Sequence, residues 1–114
     1  MYVTKDEFLE YTGKDLELEF KNGNFDIDDT VPMFIKKVES ASIEILKDRY
    51  DNYNIENKIN NHLEKFKEGM IWQLDYILTH GELYNNADAE PSKYLSPTAI
   101  MFWRNIGLCN NRSY

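Results

Sequence analysis

A chain of 114 residues is long enough for one domain with a modest core, and 42% apolar with 14% aromatic residues excludes an unfolded polymer. The formal charge of −7, with no basic stripe along the chain, argues against binding that runs on Lys and Arg neutralising a phosphate backbone. The acid is unevenly placed: residues 1–57 hold 7 Lys and Arg against 14 Asp and Glu, whereas residues 58–114 hold 6 against 6.

Thr4-Lys5-Asp6-Glu7 has the spacing of a capping box, which predicts a short first helix over about residues 5–12 with Gly13 as its stop. Residues 16–28, LELEFKNGNFDID, alternate apolar and polar on both sides of Asn22-Gly23. A two-residue turn there would pair Phe20 with Phe25 and Leu18 with Ile27, the signature of a β-hairpin. The other reading of this stretch is an acidic loop with a few apolar anchors.

Asp29 or Thr30 can cap the next helix, and Pro32 is tolerated in its first turn. Phe34, Ile35, Val38, Ala41, Ser42, Ile45 and Leu46 recur at helical spacing to about Arg49. After Asp51-Asn52-Tyr53-Asn54, the longest helix is expected from about Ile55 to His80. Ile55, Ile59, Leu63, Phe66, Met70, Leu74 and Ile77 mark its apolar face. From Met70 to Leu78 the helix is apolar almost all round, which predicts burial on several sides or contact with another chain.

Residues 82–95 read as a polar connection with Tyr84 and Tyr94 as anchors. The last helix, about residues 97–106, is the best punctuated. Ser96 can accept from a free helix amide, Pro97 suits a first helical position, and Gly107 can close the helix so that Leu108 folds back. A polar tail follows to Tyr114. The predicted architecture is therefore all-α: a small single domain of about four helices with one long central helix, and a possible short β-hairpin at 16–28.

No catalytic constellation emerges from the residues. His62 and His80 stand eighteen apart with no third ligand at metal spacing, and a solvated or helix-capping role suits both. Glu17, Glu19, Asp26, Asp28 and Asp29 cluster, but Asp26-x-Asp28-Asp29 lacks the glycine and distant Glu of a calcium loop. Cys109 is the single cysteine, so no internal disulfide and no CxxC metal site exists. The five glycines form no phosphate loop. The expectation is a non-enzyme with no catalytic residue, no cofactor and no metal. MYVTKDEF lacks the form of a signal peptide, and no apolar run reaches the roughly 18–20 residues of a membrane span, so a soluble protein made inside the cell is expected.

Four stretches, in this order, carry a resemblance: MYVTKDEFLEYTG; VPMFIKKVESASIEILKDR with Ala41 and Ile45 at its middle; FKEGMIWQLDYILTHGE; and LSPTAIMFWRNIGLCNNR. Together they resemble the head–tail connector (adaptor, or head completion) proteins of long-tailed bacteriophages. The chain departs from that pattern in its short ELYNNADAEPSKY connection, where the family commonly carries a Gly/Ser-rich insertion, and in the hairpin-like 16–28.

The resemblance implies a structural virion protein of the phage or prophage neck, made in the host cytoplasm. It would form a homo-oligomeric ring under the portal, conduct DNA without sequence-specific binding, touch no membrane, and dock the next neck or tail-completion protein. Trp72, Tyr76, Phe102, Trp103 and the Leu108–Arg112 tail are the expected protein-contact residues. The alternative is a small acidic helical interaction or regulatory protein acting as a monomer or dimer.

Overall fold

A computed structural model describes residues 1–23, 25, 28–85 and 91–109, and all regular structure among them is helical. Eight helical segments occur there: α1 (Lys5–Thr12), α2 (Leu16–Asn22), α3 (Val31–Arg49), α4 (Ile55–Asn61), α5 (Leu63–Thr79), α6 (Gly81–Asn85), α7 (Pro91–Tyr94) and α8 (Pro97–Asn105). The all-α class holds, with more and shorter helices than the periodicity predicts.

The caps explain where the helices start. Thr4 accepts from the Glu7 amide while Glu7 reaches back to the Thr4 amide, completing the predicted capping box. Gly13, at φ 76°, ends α1 in the left-handed conformation. Thr30, not Asp29, caps α3, its hydroxyl accepting from Met33 N–H at 3.3 Å. At the end of α8 Gly107, at φ 83°, sends its N–H to Arg104 O while Leu108 N–H reaches Trp103 O at 2.9 Å. That pair of bonds is a Schellman closure, and it folds Leu108 into the core as the sequence anticipates.

Three expectations are overturned. Residues 16–22 are helix, not the first strand of a hairpin: Asp15 caps them, its carboxylate accepting from Glu17 N–H at 3.0 Å. Gly23 has extended backbone, φ −81° and ψ 170°, whereas the two-residue Asn-Gly hairpin turn needs positive φ. Leu16 and Phe20 satisfy helical i, i+4 spacing equally well, and tertiary packing decides for helix. Of the expected second strand, Ile27 lies outside the described residues, as do Asn24 and Asp26.

The long central helix is two helices. The chain turns at His62, φ −136° and ψ 44°, between α4 and α5. Asn60, Asn61 and His62 are weak helix formers, so a break there costs little propensity. Lastly, residues 82–95 are more than a polar connection: α6 begins at Gly81, and α7 follows within the same stretch.

One hydrophobic core joins these elements. Phe8 of α1, Phe34 of α3, Ile55 and Ile59 of α4, Phe66, Met70 and Leu74 of α5 and Trp103 of α8 are fully buried in it. The α5–α8 pair has the most extensive contact of any two elements. Because α5 also meets α3 and α1, its apolar turn from Met70 to Leu78 is taken up largely within the chain. No helix among the described residues is long and apolar enough to cross a membrane.

Candidate interaction surface

The last helix runs antiparallel to α5 and is anchored at three places, the first two on α5 and the third on α4 and the loop before it. At its start, the Ser96 N–H donates to Gln73 Oε1 at 2.6 Å, and Gln73 Nε2 donates to Tyr94 O at 2.7 Å. Gln73 is fully buried, so its amide binds the backbone of the approaching chain much as a neighbouring strand would. Further along, Trp103 Nε1 donates to Phe66 O at 3.2 Å and the two rings stack at 5.9 Å. At the end, Lys58 Nζ donates to Gly107 O at 3.2 Å and to Asn52 Oδ1 at 2.9 Å. Asn52 Nδ2 in turn donates to Leu46 O and to Leu108 O, at 3.0 and 2.6 Å. A cation thus sits where carbonyls of the α8 terminus converge, the end of a helix that favours positive charge.

This anchoring decides which face of α8 is free. Ala99, Trp103 and Ile106 lie at i, i+4 and i+7 and are buried. Met101, about 200° round the helix from Ala99, is 64% exposed. Phe102 lies on the flank, half-buried, with Lys65 Nζ 5.6 Å from its ring centre.

The expected contact residues therefore separate. Trp103 and Leu108 are completely buried in the chain's own core, so neither presents a surface to a partner; this corrects their placement as contacts. Trp72 is half-buried against the edge of the Tyr11 ring, centroids 5.8 Å apart. Tyr76 is half-buried, its hydroxyl donating to Lys93 O at 3.1 Å and its ring tilted on His80 at 4.5 Å. Phe102 remains at the surface of α8. Arg112 lies outside the described residues, with Asn110 to Tyr114 as a whole.

A second free surface follows the α1–α5 seam, where the two helices run in the same direction. Lys67 pairs with Glu7, and Lys14 Nζ pairs with Asp75 at 2.8 Å. A shallow groove of about 320 Å³ at the Glu7–Lys67 pair is lined also by Glu10, Tyr11, Glu64, Glu68 and Ile71. The Glu7 carboxyl is held below its usual range, chiefly by its bond to Lys67; with that pair neutralised, Glu10, Glu64 and Glu68 leave the groove with an excess of carboxylates. Trp72 Nε1, shut off from solvent at this seam, has no hydrogen-bond partner among the described residues.

Elsewhere the polar groups do structural work. Glu39 is buried in α3, and its carboxylate accepts from Tyr2 N–H and Val3 N–H at 2.8–3.0 Å, fastening the chain start over the core. Burial pushes its pKa up against those amide bonds. Asp29 accepts from Tyr84 Oη at 2.6 Å and pairs with Lys37 at 2.9 Å; the tyrosine bond and the ammonium hold its carboxyl below the usual range. Burial raises the Cys109 thiol to about 11, leaving it inert as a nucleophile at neutral pH. Among the described residues no group of His, Cys, Asp and Glu is arranged to hold a metal. His62 stands at the α4–α5 break and His80 at the end of α5, 3.6 Å from Glu82.

No family model, curated protein or solved structure matches this chain.

Tyr11, Met101 and the groove beside Glu10, Glu64 and Glu68 are surface features that no local motif marks. Met101 was recoverable, since it opposes the Ala99–Trp103–Ile106 stripe on a helical wheel. The groove was not, because it is made by two helices fifty residues apart.

Proposed function

We propose that this chain is a structural assembly protein of the head–tail connector type, which joins copies of itself into a ring beneath a phage portal and offers a docking face to the next neck component. The single observation that carries the reading is the presentation of α8. A short helix is pinned at its start, middle and end to the rest of the chain, while Met101 stands on its outer side and Phe102 on its flank. A helix held at its start, middle and end suits repeated protein contact, because its backbone is already ordered before a partner arrives.

The order of elements supports the same reading: a capped short helix, a long α3 bearing Ala41 and Ile45, an aromatic-bearing α5, and a Ser-Pro to Gly-Leu closing helix. In a ring each subunit offers unlike faces to its two neighbours. The outer face of α8 and the anionic α1–α5 seam are two such faces. Excess negative charge toward a lumen would let DNA pass without adhering. The decisive experiment mixes the purified chain with isolated portal rings of the phage or prophage that encodes it and images the product by negative stain.

A second reading is an acidic helical protein that binds another protein as a monomer or dimer. The internal burial of Trp103 and Leu108 favours it, since it removes two residues from the surface that ring contacts would use. Mass measurement across concentrations separates the two, with higher oligomers expected only for the connector.

A further inference from the structure

We draw no further inference here: the strongest candidate, the pocket of about 550 Å³ between α2 and the start of α3 lined by Phe20, Lys21, Phe25, Asp29 and Pro32, carries nothing because no feature of the structure shows what fills it.

Discussion

The indole of Trp103 lies directly over Gly69, so close that a Cβ on Gly69 would stand 2.4 Å from Trp103 Nε1. Helix α8 can approach α5 only because that position carries no side chain. The same approach lets the indole N–H reach Phe66 O.

Gly69→Ala should therefore destabilise the fold. Gly to Ala inside a helix ordinarily stabilises by about 1 kcal/mol. Forcing a methyl against a buried, hydrogen-bonded ring costs about 1–3 kcal/mol, so the clash outweighs the propensity gain. Trp103→Ala should cost more, about 3–5 kcal/mol for an emptied aromatic site. Thermal unfolding followed by circular dichroism checks both. A Trp103→Ala protein with unchanged melting would show that the ring is not packed as described.

Gln73→Leu should lower stability by about 1–3 kcal/mol for each backbone group left unsatisfied. The leucine fills similar volume but strands the Ser96 N–H and the Tyr94 O. Amide exchange gives a local readout: protection of Ser96 should fall more than protection of Phe34 or Ile35 in α3. Equal loss at both places would mean that Gln73 supports the whole core and not α8 in particular.

Two buried or paired carboxylates should move stability with pH in opposite senses. Burial raises Glu39, so the folded chain holds that proton more tightly than the unfolded chain does. Its contribution is fully present below the unfolded value of 4.5 and is lost as pH rises through the raised folded value. Asp29 is lowered by Tyr84 and Lys37, so its contribution is present above the unfolded value of 3.8 and is lost as pH falls through the lowered one. Urea unfolding from pH 3 to pH 7 tests this with Asp29→Asn. The stability gap to the native chain should close toward the acid end; a gap that stayed constant would contradict the pairing.

Met101→Asp should leave melting within about 0.5 kcal/mol of the native chain, because an exposed surface position makes few contacts. If α8 docks a partner, the same change should weaken association with portal rings. Light scattering of the variant alone and with portal separates the effects. Full retention of portal binding would remove Met101 from the contact surface.

The sequence showed its helix ends more clearly than its helix count. Thr4, Gly13, Thr30, Ser96 and Gly107 act through bonds to neighbours in the chain, so their roles are legible locally. The break at His62 is not legible from periodicity, because Ile59, Leu63 and Phe66 continue the stripe across it. Residues 16–22 were ambiguous for a related reason: over seven residues, alternation and i, i+4 spacing fit the same letters. Trp103 shows the limit for the site itself. A tryptophan on a short apolar helix reads equally as an anchor for a partner or for the core, and only the bare position at Gly69 decides between them.

The claim that this chain assembles on a portal is tested most directly by imaging isolated portal rings after incubation with excess purified protein. The expected image has an added layer of density on one face of every portal, its symmetry matching the ring and its channel left open. Portals that stay bare at saturating protein, with the native chain folded and monomeric in the same buffer, would contradict it.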